Sequence, residues 1–219
     1  MFLNFYLEIS LFILFIDIFF KYIYEIHHLA RWYLIHAIVN FIITGMIIEP
    51  ICDIIKNPLQ EMFHPISYYD STIVIDILHI YHMLFFSCTK ADIFHHLFFV
   101  IVGSIFVFLF NNGKYIALSH LFLCGLPGGI DYIILFLYQF NYVSKITRLK
   151  IATFLNTWIR APGLCIISTT GLLYYLETEK TFYSTIQLLF QIVMTYGNGQ
   201  YYLRDVVFTY GKYSMIKSE

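Results

Sequence analysis

The stretch IFHHLFFVIVGSIFVFLF, residues 93–110, carries no lysine, arginine, aspartate or glutamate. An α-helix needs about 20 largely apolar residues to cross the hydrocarbon core of a bilayer, so this stretch has nearly the length of a membrane span. Six further stretches are also largely apolar and of similar length, at approximately 2–23, 32–50, 71–89, 115–139, 151–175 and 181–203. The sequence therefore predicts an all-α fold, a polytopic transmembrane bundle of about seven helices.

The composition agrees with a membrane protein. Of the 219 residues, 59% are hydrophobic and only 12% are charged, and the mean hydropathy is +0.72. A soluble domain carries about 25% charged residues, so this chain has too few to cover a water-facing surface. The net charge of −1 predicts no binding to nucleic acid, and the partners that we expect are membrane lipids.

The four cysteines, Cys52, Cys88, Cys124 and Cys165, lie far apart in the chain and form no CxxC pair. This spacing matches neither the usual zinc motifs nor a disulfide framework. The sequence therefore predicts no metal site and no bound cofactor.

The basic residues predict the orientation, because loops rich in lysine and arginine stay in the cytosol. With seven spans, one side of the membrane holds Lys21, Arg31, Lys90, Lys145, Arg148, Lys150, Arg204, Lys212 and Lys217. The other side holds Lys56, Lys114 and Lys180. We therefore expect a luminal or extracellular N-terminus and a cytosolic C-terminus.

The first stretch has no basic start and no small-residue cleavage site, so we expect it to remain as a helix and not to be removed as a signal peptide. The chain is accordingly divided into an N-terminal transmembrane helix at 1–24, a six-helix membrane domain at 25–210 and a cytosolic tail at 211–219.

Five of the predicted spans carry ionisable side chains in their cytosolic halves, at His36, His82, the pair His95 and His96, Asp131 and Arg160. With a rise of about 1.5 Å per residue, these groups lie roughly 6–15 Å from the cytosolic ends of their spans. Ionisable groups at membrane depth normally face a protein interior or a wet cavity. The convergence predicts that the seven helices surround a central cavity.

Within this set, the adjacent pair His95 and His96 is the strongest candidate for chemistry. Neighbouring helical positions point about 100° apart, so one ring can face a cavity while the other braces it. Asp131 and Arg160 are expected within reach of each other, either as a buried ion pair or around a ligand. The motif from Gly125 to Gly129, with Pro127 inside it, predicts a broken helix that aims Asp131 inward.

Several of these segments together resemble the TLC domain of ceramide synthases and their relatives. They are Ala30-Arg-Trp-Tyr-Leu-Ile-His36-Ala, Tyr68-Tyr-Asp followed by Asp76-Ile-Leu, Asp92-Ile-Phe-His95-His96, Leu126-Pro-Gly-Gly-Ile-Asp131-Tyr and Asn156-Thr-Trp-Ile-Arg160-Ala-Pro. The resemblance covers roughly residues 25 to 210. It implies a ring of six or seven helices around a lipid cavity, usually in the endoplasmic reticulum.

The resemblance also implies a function, N-acylation of a lipid with acyl-CoA as co-substrate. It assigns catalytic roles to His95, His96 and Asp131, and we expect His36, His82 and Arg160 to bind the substrate. The chain departs from ceramide synthases because glycine, Gly128 or Gly129, stands where they have their first aspartate. The following glutamate and the long signature after the histidine pair are also missing, which favours the branch of the family outside the ceramide synthases.

Two other functions compete with acyl transfer. The first is non-catalytic lipid binding or regulation of membrane composition, a role that several relatives of the TLC domain have. The second is a membrane di-iron hydroxylase, suggested by the abundance of histidine and by His79-Ile-Tyr-His82, but the sequence has no second HxxHH box. The lipid head group, the acyl length and the oligomeric state stay open, with a homodimer as one option.

Overall fold

The computed structural model describes residues 2–62, 69–109, 113–177, 179 and 181–216. Within these residues every regular element is a helix, so the prediction of an all-α fold is confirmed. Tyr68, Phe110, Lys180 and Lys217, which were used in the sequence arguments, lie outside the described residues.

Seven long helices fall on the seven predicted apolar stretches, and one short helix lies between the second and third of them. Their bounds are α1 Phe2–Tyr22, α2 His28–Lys56, the short α3 Pro58–Met62, α4 Asp70–Phe85, α5 Lys90–Leu109, α6 Tyr115–Gln139, α7 145–177 and α8 182–216. Three of them, α2, α5 and α6, are long and apolar enough to cross a membrane.

Helices α5, α7 and α8 each contain a π-helical segment, at His95–Val102, Asn156–Arg160 and Val193–Gly197 respectively. Such segments are uncommon and often lie at functional sites, because the wider turn re-aims the side chains around it. The first contains the predicted histidine pair and the second ends at Arg160, so two of the three coincide with predicted site residues.

Helix α6 is broken where the glycine and proline motif predicted a break. Its first half ends at Leu123 and its second half begins at Leu126, with Pro127 in the first turn where a missing N–H costs nothing. A Cβ atom added to Gly128 would lie 2.8 Å from Asn40 Nδ2 of α2, so a larger residue here would force the Asn40 side chain to move.

Helix α2 forms the centre of the packed core. Its residues Ile35, Val39, Ile43 and Ile47 recur every fourth position, and each is at most 1% exposed. This spacing makes one continuous apolar stripe along the helix. Helix α2 packs against α1, α4 and both halves of α6, so it positions two of the helices that carry predicted site residues, α4 with His82 and α6 with Asp131.

Arg31 does not lie in a loop, as the orientation argument assumed. It lies in the first turn of α2, is 8% exposed and forms an ion pair with Asp17 of α1 through Nε. The hydroxyl of Tyr81 on α4 donates to Asp17 Oδ2 at 2.7 Å. Arg31 is therefore a buried, paired residue inside the bundle and not one of the loop charges on which the predicted orientation depends.

Candidate functional site

A cavity of about 650 Å³ lies between α2, α4, α5, α6, α7 and α8. All six predicted site residues line it, and so do all three π-helical segments. Seven of the nine histidines of the chain also line this cavity, namely His28, His36, His79, His82, His95, His96 and His120. The topology thus brings together side chains that are separated by more than half of the sequence.

Five of these rings form a contiguous group, which we call the histidine cluster: His36, His79, His82, His95 and His96. Neighbouring ring centroids lie 4.9 Å apart for His79 and His96, 5.4 Å for His95 and His96, and 5.5 Å for His36 and His79. Helices α2, α4 and α5 supply the five rings, so the packing of α4 on its two neighbours sets their separations.

His82 and His96 are joined directly by a hydrogen bond. His82 Nδ1 lies 2.7 Å from His96 Nε2, so one of the two rings donates a proton that the other accepts. The ring of His82 is also stacked on Trp32, with centroids 3.8 Å apart and planes 14° apart. Stacking and hydrogen bond together hold the pair in one orientation.

The protonation of His79 follows from its partner. His79 Nδ1 lies 2.7 Å from the carbonyl oxygen of Ile75, and a carbonyl can only accept, so Nδ1 carries the proton. In the neutral ring Nε2 then carries the lone pair. His95 is anchored similarly through Nδ1, which lies 2.9 Å from the hydroxyl of Tyr202 on α8.

Several buried polar atoms in this region have no hydrogen-bond partner among the described residues. They are His36 Nδ1, His96 Nδ1, Asp131 Oδ1 and both polar atoms of the Asn40 amide. Buried polar groups are nearly always satisfied, and leaving one unsatisfied costs roughly 1–3 kcal/mol. All four side chains line the cavity, so their free atoms are available to a ligand that occupies it.

Asp131 and Arg160 do not form an ion pair within the described part of the chain. Arg160 instead donates through Nε to the carbonyl oxygen of Phe122 at 3.2 Å and through Nη1 to Asn156 Oδ1 at 3.4 Å. The break in α6 explains this choice, because the last carbonyls of its first half lack partners within the helix. Arg160 donates to one of these carbonyl oxygens, and Asp131 therefore has no ion pair with Arg160.

The wall of the cavity away from the histidine cluster is largely apolar. It includes Phe106 and Val107 of α5, Phe190 and Met194 of α8, and Ile116 of α6. The ring of Phe106 stacks on Phe190 at a centroid distance of 3.6 Å, which ties α5 to α8. A pocket with apolar walls and a few convergent polar groups is typical of sites that hold an amphipathic small molecule.

The residues that the structure adds to the predicted site include Tyr202 and also His79, which the sequence suggested only as part of a di-iron motif. His79 precedes His82 by three positions, so the two share one face of α4, and this spacing was the signal for it. Tyr202 is 107 positions from His95, and no local pattern connects them. Its contact depends on the packing of α8 beside α5, which hydropathy does not specify.

Three comparisons, with protein-family models, with curated proteins and with solved structures, find no match to this chain. The resemblance to the TLC domain therefore stays a prediction from the motifs, and the site is interpreted from its own geometry.

Proposed function

We propose that this chain is a seven-span membrane protein of lipid metabolism that transfers an acyl group from acyl-CoA to a lipid acceptor. The observation that carries the proposal is a cavity in which an apolar wall meets the histidine cluster. An acyl chain suits the wall, and its carbonyl carbon would then lie among the imidazoles. The motifs that resemble the TLC domain support the same function and an endoplasmic reticulum location.

The outer surface of the bundle supports a membrane location for the whole chain. Large apolar side chains point outward on helices beyond the three that meet the length and composition requirement, with Phe15 of α1 64% exposed, Leu84 of α4 71% and Trp158 of α7 70%. Extended apolar surface of this kind is costly in water and favourable against lipid. We propose that α1, α4, α7 and α8 also span the bilayer, with the N-terminus luminal and the C-terminus cytosolic.

The reaction requires a proton acceptor beside the thioester. The amine or hydroxyl of the acceptor lipid attacks the carbonyl carbon, a new C–N or C–O bond forms, and the C–S bond breaks. The proton of the acceptor passes to a base and then to the departing CoA thiolate. Imidazole is suited to this transfer because its pKa lies near neutrality.

In this proposal the histidine cluster and Asp131 have different tasks. His95 and His96 lie at the reacting carbonyl, and Asp131 uses its free oxygen to hold the acceptor or to stabilise a charged imidazole. His36 and His82 border the acceptor, and Arg160, held by Phe122 and Asn156, contributes positive charge to the same wall. The CoA moiety stays outside, on the cytosolic side of the membrane.

Acyl-CoA turnover by the purified full chain in lipid nanodiscs tests this proposal. A panel of sphingoid bases, lysolipids and simple amines serves as acceptors, and mass spectrometry identifies the acylated product. His95→Ala is expected to lower turnover by about 100-fold or more, because a positioned acid–base group contributes at least that much. His27→Ala is the matched control, since His27 caps α2 outside the cavity lining.

One observation favours a second function, non-catalytic lipid binding. Asp131 Oδ1 makes no hydrogen bond to a histidine, so the described residues contain no assembled histidine–aspartate pair. A comparison of lipid composition in cells that express wild type or His95→Ala/His96→Ala separates the two functions. A change that requires both histidines supports catalysis, whereas an equal change with both proteins, together with no turnover in nanodiscs, supports lipid binding without chemistry.

A further inference from the structure

The structure assigns a metal-binding role to three rings of the histidine cluster: we propose that His79, His95 and His96 bind one Zn²⁺ ion inside the cavity. Each ring can offer one nitrogen, and the three nitrogens all lie within 4.8 Å of one another. The binding of the ion stands on this geometry alone, and only its catalytic use rests on the proposed function.

The available lone pairs fit a metal site. The carbonyl of Ile75 holds the proton of His79 on Nδ1, which leaves the Nε2 lone pair for a ligand bond. His96 Nδ1 is buried and has no partner among the described residues. If that atom binds the ion, His96 Nε2 carries the proton and donates it to His82 Nδ1, which is the hydrogen bond observed at 2.7 Å.

Each of the three rings also has an outer partner, as metal-binding histidines generally do. Ile75 holds His79, Tyr202 holds His95, and His82 holds His96. Such partners fix the tautomer and the orientation of the ring and increase the basicity of the nitrogen that binds the metal. Three separate partners for three converging rings are hard to explain by packing alone, because each ring keeps a second nitrogen that none of these partners uses.

The size of the group also fits zinc. Zinc lies about 2.0–2.1 Å from a histidine nitrogen, so tetrahedral ligands are roughly 3.4 Å apart. From separations of at most 4.8 Å the nitrogens need to approach by no more than about 1.4 Å per pair, which small rotations of the rings achieve. Nitrogen ligands favour Zn²⁺ over Mg²⁺ or Ca²⁺, which prefer oxygen.

Three protein ligands leave the fourth position of a tetrahedral zinc open to the cavity, which is the arrangement of catalytic zinc sites. Under the proposed function, the thioester carbonyl oxygen takes that position and the ion withdraws electron density from the carbonyl carbon. The ring of His36, which lies next to His79 and has a free Nδ1, then accepts the proton of the attacking amine or hydroxyl. The proton leaves with the CoA thiolate, so the transfer consumes no other reactant.

Metal analysis of the full chain, purified without chelator and then incubated with Zn²⁺ alone, tests the binding. We expect about one zinc per chain in wild type and less than about a tenth of that in His79→Ala, His95→Ala and His96→Ala. His120→Ala is the matched control, because His120 lines the same cavity but belongs to neither group of possible metal ligands among the described residues. X-ray absorption should show about three histidine nitrogens at 2.0–2.1 Å from the ion.

A second grouping of possible ligands, His82, Cys88 and His96, gives the assignment a competitor. Cys88→Ser is expected to keep its zinc, so loss of zinc in Cys88→Ser with retention in His79→Ala overturns the proposal. Absence of stoichiometric zinc in folded wild type overturns it as well. If an alanine variant does not fold, the ligands are identified in wild type by replacing Zn²⁺ with Co²⁺ and recording the absorption spectrum. A spectrum that shows sulfur ligation, or no histidine ligation, overturns the proposal.

Zinc binding and acyl transfer can fail separately. Zinc bound by the three histidines without turnover of any acceptor leaves the metal site standing and removes the acyltransferase. If protein that contains no zinc turns over acyl-CoA, the acyltransferase function is retained and the metal site is excluded.

Discussion

Two polar regions of the molecule differ in how completely their groups are paired. In the ion-pair cluster, which comprises Lys114, Asp53 and Glu61, the lysine Nζ donates to Asp53 Oδ2 at 2.8 Å and to Glu61 Oε2 at 2.5 Å. In the histidine cluster, His36 Nδ1 and His96 Nδ1 have no partner among the described residues. Every charged group of the first region has a partner within the chain, whereas the second leaves buried ring nitrogens unpaired among the described residues.

The difference separates structure from function. The ion-pair cluster joins the end of α2, the short α3 and the start of α6, so its pairing holds three elements at one end of the bundle. Evolution of a purely structural histidine cluster would instead be expected to satisfy each buried nitrogen, because an unsatisfied one costs free energy of folding. Incomplete pairing toward a cavity is therefore the better indicator of a binding site than burial of polar groups alone.

The largest expected difference between substitutions in the two clusters is in acyl-CoA turnover. His96→Ala should reduce acyl-CoA turnover by about 100-fold or more, because it removes an imidazole from the reacting centre. Lys114→Met should leave turnover near the wild-type value, because Lys114 does not line the cavity. Turnover of both variants in nanodiscs, measured on protein with wild-type helical content, checks the contrast. The distinction between the clusters fails if folded Lys114→Met is as inactive as His96→Ala.

The second expected effect is on stability and concerns another fully paired group, Asp17, Arg31 and Tyr81. Arg31→Met should lower the free energy of unfolding by about 3 kcal/mol, because it leaves the Asp17 carboxylate buried without its cation. Thermal unfolding in detergent measures the loss.

The double variant Asp17→Asn/Arg31→Met provides the control for this second effect. It removes both charges, so we expect it to be more stable than Arg31→Met alone. Additive losses from the two single variants would show that Asp17 and Arg31 do not stabilise the bundle as a pair.

The positions of the helices could be predicted from the sequence because apolar runs of this length have few alternatives. The stretch at 93–110 and its counterparts are helical over most of their described residues; the exceptions are chiefly residues 86–89 of the third stretch and the break in α6. The grouping of His36, His82, His95 and His96 was also accessible, since depth along a helix follows directly from residue number. These predictions depend on the helical rise per residue and on the polarity of each side chain, and both can be read from the local sequence without knowledge of the tertiary packing.

The rotation of each helix about its axis and the partners of its polar side chains could not be predicted from the sequence in the same way. Arg160 was expected to reach Asp131, but it binds the Phe122 carbonyl that the break in α6 leaves free. Asp17 pairs with Arg31 across two helices, and Tyr202 reaches His95 from the far end of the chain. Each of these contacts depends on the angular position of a side chain around its helix, and π-helical segments shift that angle without a sequence signature.

The smallest expected effect concerns the pH dependence of the ion-pair cluster. The carboxylates of Asp53 and Glu61 raise the pKa of Lys114 above its ordinary value of 10.5. A group whose pKa is higher in the folded state stabilises that state fully below the unfolded pKa and loses the contribution as pH rises through the folded value. Lys114→Met should therefore cost about 1–2 kcal/mol between pH 7 and pH 9, since both carboxylates are partly exposed.

Above about pH 11 the difference between wild type and Lys114→Met should shrink, because the wild-type lysine then loses its proton. Lys56→Met is the matched control: Lys56 lies 3.7 Å from the same Asp53, but its side chain is 72% exposed, so we expect a cost below about 0.5 kcal/mol. Thermal unfolding of the three proteins from pH 7 to about pH 12 measures both quantities. Equal losses in the two variants would mean that burial of Lys114 adds nothing to its pairing. A difference that persists unchanged at the highest pH would mean that its aliphatic chain, and not its charge, joins α2, α3 and α6.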